Sequence, residues 1–159
     1  MKTALAMLII ALMACLQAPA QSLTVVRSSD GGCFLEHSSN GYFRLGPQAT
    51  TVLIEGMKKA LEWYDLNQSH KMSFTKEIRR FKAMDQEAFE FAGYVEGLAT
   101  SAKLEFTGSV LGGGTCILYI DGSNLDGYWM MTTRKEMADF LAVLQGKSVN
   151  PGVDNIFKP

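Results

Sequence analysis

The chain of 159 residues carries 15 basic and 16 acidic side chains, which gives a formal charge of −1 at neutral pH. This balance lacks the strong basic excess typical of nucleic-acid-binding proteins, so it argues against nucleic acid as a partner. A chain of this length can bury about 70% of the surface that it exposes when unfolded, so one domain can form a stable core without a disulfide or a structural metal.

The first twenty residues have the pattern of a secretory signal peptide. A positive start at Lys2 precedes an apolar stretch over residues 4–14, and Ala18-Pro19-Ala20 offers the small residues that signal peptidase needs. The apolar stretch is shorter than the roughly 20 residues of a transmembrane helix. We therefore predict a signal peptide over residues 1–20, a mature start near Gln21, no transmembrane segment after its removal, and a periplasmic or secreted location.

A second cleavage site is possible in the same region. Leu12-Met13-Ala14-Cys15 resembles a bacterial lipobox, in which the cysteine is lipidated and becomes the first mature residue. This alternative ranks below simple export, because methionine is an awkward residue before the small one. It would give a lipid anchor at Cys15, and both patterns favour a bacterial envelope protein.

After cleavage at residue 20, two cysteines remain, and each lies in the same recurring pattern. A glycine-containing turn, Cys and two apolar residues precede an Asn/Asp-Gly turn, an aromatic pair and an amphipathic helix, beginning at Cys33 and again at Cys116. The recurrence is interpreted as a pseudo-twofold strand–strand–helix repeat. An even number of cysteines in an oxidising compartment favours a Cys33–Cys116 disulfide, and two buried free thiols are the alternative.

The predicted elements define an α+β fold, with an antiparallel sheet and helices over about 47–66 and 133–145. Pro47 suits the first helical turn, and Thr133 with Glu136 forms a capping box. Strand-like alternation covers residues 72–81, 88–98 and 103–111, and helical spacing is the alternative within 72–92. One domain over 21–146 then precedes a coil tail, 147–159. Strands followed by a helix, twice over, resemble Whirly and PUR-type nucleic-acid binders in topology alone, and no function is inferred from this.

The sequence shows no motif for catalysis, metal binding or a cofactor. His37 and His70 stand far apart and lack the spacing of a metal site. The glycines at 112–114 lack the lysine and the following helix of a phosphate-binding loop. We therefore expect no metal and no cofactor, and an enzyme is the less favoured interpretation.

Two sets of residues are candidates for binding. The densest basic cluster could form an anion-binding or lipid head-group surface, although such clusters are usually solvated faces. Alternation along equivalent strands places Phe43 and Trp129 on one face and two tyrosines on the other, where they could form an aromatic surface. These candidates are Lys76, Arg79, Arg80 and Lys82 for the first set, and Tyr42 and Tyr128 for the second.

The leading functional hypothesis is a small, exported, non-catalytic module that binds a protein or a small ligand on an exposed sheet face or through its tail. A small exported hydrolase, with a site assembled across the sheet, is one alternative. An envelope lipoprotein that acts at the membrane surface through the basic cluster is the other. The sequence specifies neither the partner nor the oligomeric state.

Overall fold

The computed structural model describes residues 24–37, 41–121 and 126–147. Within these ranges, seven strands form one antiparallel sheet in sequence order, accompanied by three α-helices, so the predicted α+β class is confirmed. None of these helices is both long and apolar enough to cross a membrane. The elements are β1 Thr24–Arg27, β2 Cys33–His37, β3 Gly41–Leu45, α1 Pro47–His70, β4 Phe74–Asp85, α2 Gln86–Ala92, a 3-10 helix Glu96–Leu98, β5 Thr100–Gly108, β6 Gly114–Ile120, β7 Gly127–Met131 and α3 Arg134–Leu144.

The hydrophobic core lies between α1, α3 and one face of the sheet. In β5, Ala102, Leu104 and Phe106 are buried, whereas the residues between them are partly exposed, as the pleat of a strand requires. Leu53 and Met57 of α1 lie one turn apart and are fully buried against this face. The sheet therefore has a covered core face and an opposite outer face.

Local signals in the sequence determine where the two main helices begin and end. Pro47 occupies the first turn of α1, which continues to His70, four residues beyond the predicted end, because Lys71 adopts the left-handed conformation (φ 51°) that stops it. At α3, the Thr133 side chain accepts the Glu136 N–H, and the Glu136 carboxylate accepts the Thr133 N–H. The predicted capping box is thus confirmed.

The sheet curls around α1. The rings of Phe43 in β3 and Trp129 in β7 pack edge to face, with centroids 5.8 Å apart. In a flat sheet these strands, four positions apart, would be separated by about 19 Å. On the first strand, the Arg27 guanidinium donates to the Leu144 carbonyl at the end of α3 (3.0 Å). The two edge strands of the curled sheet, β1 and β7, therefore both contact α3.

Part of the outer face is closed by α2 over a buried arginine. The side chain of Arg44 in β3 is 3% exposed and donates to the Cys33 carbonyl (3.2 Å) and the Leu45 carbonyl. Its guanidinium also pairs with Asp30 and lies against the rings of Phe34 (4.8 Å), Tyr94 (5.7 Å) and Phe89 (6.0 Å). Charge, hydrogen bonds and aromatic faces together satisfy this buried cation.

The predicted strand over residues 88–98 is wrong. These residues form the last part of α2, a glycine turn and the 3-10 helix, whereas the ambiguous segment before them is the long strand β4. The carboxylate of Asp85 accepts the Ala88 N–H (2.9 Å), an N-cap that starts α2 as soon as β4 ends. The helical and strand patterns within 72–92 thus belong to different halves of the segment.

The predicted Cys33–Cys116 disulfide is also wrong, because the structure places both thiols free in the core. The Thr50 hydroxyl lies 3.5 Å from Cys33 Sγ, whereas Cys116 Sγ lies 4.0 Å from Met57 Sδ. Thr50 and Met57 are two turns apart on α1, about 10 Å, which is too far for a bond near 2 Å. The two copies of the cysteine pattern fall on β2–β3–α1 and β6–β7–α3, and their duplication stays a prediction.

We expect intact-mass analysis of the native protein to give the same mass before and after reduction. Burial raises the pKa of the Cys33 thiol, and burial raises that of Cys116 to about 12, so little of either is the reactive thiolate at neutral pH. Both should therefore react with a thiol reagent only after denaturant is added. A native mass two hydrogens below the reduced mass would contradict this arrangement.

Replacing Arg44 with methionine should lower the free energy of unfolding by about 2–4 kcal/mol, because it removes the hydrogen bonds to two carbonyls and the contacts of the cation with three rings. Urea denaturation measures this change. The comparison variant, Asp30→Asn, should cost less, because its amide oxygen can still accept the Gly32 N–H and Arg44 keeps its bonds to two carbonyls and its contacts with the rings. Equal losses in the two variants would mean that the ion pair with Asp30, rather than the contacts with the carbonyls and rings, secures this region.

Candidate functional site

The candidate site is the outer face of β4–β7 away from the Met84 end of β4, where the Val95 N–H reaches Met84 Sδ (3.2 Å). Over the rest of this face, no helix packs in the described part of the chain. The strand register aligns its side chains in two rows that cross the four strands. The first row is Arg80, Lys103, Tyr119 and Tyr128, and the second is Glu77, Glu105, Ile117 and Met130. We call these eight residues the outer platform.

The first row forms a continuous contact from a cation to two aromatic rings. Lys103 Nζ lies 4.6 Å from the centre of the Tyr119 ring, which packs edge to face on Tyr128 with centroids 5.3 Å apart. The Tyr128 hydroxyl lies 3.8 Å from Met130 Sδ in the second row. Tyr128 is 42% exposed and Met130 53%, so the end of the platform on β7 presents apolar surface to solvent.

The second row neutralises the charges of the first. Glu77 pairs with Arg80 at 2.5 Å, and Glu105 pairs with Lys103 at 3.3 Å. A hydrogen bond from Arg80 lowers the pKa of Glu77, which keeps this carboxylate ionised at neutral pH. With both cations paired, the platform lacks the contiguous positive surface that tracks a nucleic-acid backbone.

Tyr119 of the platform is a neutral hydrogen-bonding group at physiological pH. The pKa of Tyr119 is raised, first by burial and then by the nearby Glu105 carboxylate. Neutral phenols combine an apolar ring with a hydroxyl that donates or accepts, a pairing common at protein interfaces. The aromatic end of the platform can thus bury apolar surface and still satisfy polar groups of a partner.

The predicted basic cluster does not form one surface. Arg80 and Lys82 point outward from β4, whereas Lys76 lies over the Trp63 ring of α1 (5.4 Å) and Arg79 reaches the neighbourhood of Gly56, also on α1. Alternation divides the four cations between the two faces. A bulge between Glu77 and Arg79 shifts the register, so Arg79 aligns with Leu104 on the core face and Arg80 aligns with Lys103 on the outer face.

The predicted tyrosine pair shares the outer face of the sheet but does not form a joint surface. Tyr42 packs under α2 against Phe34 and Phe89, with ring centroids 5.2 Å and 6.2 Å away, and its hydroxyl lies 3.4 Å from the Glu90 carboxylate. Strands β4 to β6 separate it from Tyr128. Only Tyr128 remains part of an open surface, where its neighbour is Tyr119.

The described residues hold no cluster of His, Cys, Asp and Glu that could bind a metal ion. His70 is exposed at the end of α1, and the side chain of His37 lies outside the described residues, as does most of the acidic loop at 121–126. The two thiols in the core have raised pKa values and do not face the outer platform.

Comparisons with known proteins add no family: no protein-family model, no curated protein and no solved structure matches the chain.

Sequence reasoning missed most of the outer platform. Lys103, Tyr119, Ile117 and Met130 become neighbours only through the register of β5, β6 and β7. The glycines at 112–114 are typical of a turn between two alternating segments, but they do not determine the register across it.

Proposed function

We propose that this protein is an exported, non-catalytic interaction module that binds a partner protein on the outer platform. The observation that carries the proposal is the open contact of Tyr119, Tyr128 and Met130 on neighbouring strands. Tyrosine, methionine and arginine are enriched at protein interfaces, where a few large side chains at the centre supply most of the binding energy.

The charges of the platform favour a protein partner over nucleic acid. The ion pairs Glu77–Arg80 and Lys103–Glu105 flank the apolar end, as the polar rim of an interface flanks its core. A partner can complement such a mixed rim with charges of both signs. A phosphate backbone would meet as many carboxylates as cations.

Export rests on the sequence at the start of the chain: Lys2, the apolar stretch at 4–14 and Ala18-Pro19-Ala20. The proposed location is the bacterial periplasm or the secreted fraction. A lipid-anchored envelope protein that begins at Cys15 is the alternative. Intact mass distinguishes the two, since a start at Gln21 supports simple export, whereas a lipidated Cys15 supports the anchor.

A photo-crosslinking side chain at position 130, introduced into the full chain in its native cells, should give one discrete protein adduct. The same side chain at Lys135, an exposed position on α3, is the control and should not give that adduct. Adding Tyr128→Ala to the labelled chain should reduce the adduct roughly tenfold or more, because it removes a ring at the centre of the contact.

The readout is the mass and identity of the adduct. The proposal fails if position 130 gives no protein adduct, or if the Lys135 control gives the same adduct in equal yield. It also fails if Tyr128→Ala leaves the yield unchanged. Thermal unfolding of Tyr128→Ala confirms that any loss is one of binding, because this exposed side chain contributes little to the core.

A further inference from the structure

Exposed apolar side chains gather at both ends of the long strand β4, which spans about 40 Å. One end carries Phe91, Val95 and Leu98, and we call it the α2 end. The other lies where α1 stops and β5 turns into β6, and we call it the hairpin end. Its exposed residues, with their exposed fractions, are Leu66 56%, Met72 58%, Val110 61% and Leu111 87%.

One buried side chain holds the hairpin end together. Asn67, 3% exposed, directs its Nδ2 at the carbonyls of Met72 (3.0 Å), Ser109 (3.0 Å) and Gly113 (2.7 Å). Its Oδ1 accepts the Met72 N–H (2.8 Å). The three chain segments that carry the exposed apolar residues therefore converge on Asn67, which presents Val110 and Leu111 on a braced turn.

The two ends differ in charge. Segments 66–76 and 106–116, which build the hairpin end, contain Lys71 and Lys76 but no Asp or Glu, and the adjoining Asp65 is paired with Arg134. Segment 86–98, which builds the α2 end, contains Glu87, Glu90 and Glu96 but no Lys or Arg. An anionic surface would thus attract the hairpin end and repel the α2 end.

We propose that the hairpin end is a membrane-contact site for an anionic phospholipid bilayer. Val110 and Leu111 enter the boundary between head groups and acyl chains, while Lys71, exposed next to Met72 in the segment that Asn67 joins to this turn, meets the lipid phosphates. A projecting turn is better suited to insertion into a bilayer than to docking on a protein, because a stable protein interface needs about 800 Å² from each partner. The site is separate from the outer platform and does not depend on the proposed function.

The test is co-sedimentation of the purified mature protein with vesicles of phosphatidylglycerol and phosphatidylcholine, compared with phosphatidylcholine alone. We expect partition into the anionic vesicles, weakened by salt. Leu111→Ser should reduce the partition coefficient roughly tenfold, as the loss of a buried leucine side chain implies. Lys71→Gly should reduce it about fivefold on anionic vesicles only, and glycine suits the left-handed backbone at this position.

The matched control is Phe91→Ser, which removes a similarly exposed apolar side chain (91%) from the α2 end and should leave partition into the vesicles unchanged. Val110→Ser provides a second variant at the hairpin end should Leu111→Ser misfold. The proposal is overturned if the wild type ignores anionic vesicles, or if the Phe91 and Leu111 variants lose binding equally. Retained vesicle binding by Leu111→Ser would also overturn the proposal. If this variant in addition lost a protein adduct in cells, the hairpin end would be assigned to a protein partner instead.

Discussion

A strand sends alternate side chains to opposite faces of its sheet, and α1 with α3 can bury only one of these two sets. This constraint organises the molecule. Leu53 and Met57 of α1 fill the concave side, where Phe43 and Trp129 meet because the sheet curls around the helix. The other set of side chains must either find a second cover or remain in contact with solvent, and the chain uses both solutions.

The two solutions involve the same chemistry on the same face. Under α2, Arg44 lies against aromatic rings and its hydrogen bonds to the Cys33 and Leu45 carbonyls are enclosed, so the contacts stabilise the fold. On the outer platform, Lys103 lies against Tyr119 in a similar way, yet nothing in the described chain covers the pair. A cation–aromatic contact that is buried in one place is thus available for binding in the other.

Local chemistry made much of the fold predictable. Pro47 and the Thr133 capping box placed two helices, and alternation with turn residues placed most strands. The short helix α2 was only an alternative to strand within 72–92, because its seven residues are too few to decide between the two periodicities and its start depends on the Asp85 cap. The lack of the disulfide, the division of the basic cluster and the outer platform all depend on strand register, sheet curl and the bulge after Glu77. These features arise from tertiary packing, and no local pattern in a single sequence determines them.

The central claim, that β7 turns alternate side chains to a buried core face and an open outer face, can be tested on two adjacent methionines. Met130 is 53% exposed and Met131 is 6% exposed. In hydroxyl-radical footprinting of the native protein, read out by mass spectrometry, Met130 should be oxidised much faster than Met131, and denaturant should make the two rates equal. Equal rates in the native protein, or faster oxidation of Met131, would contradict this arrangement of the sheet.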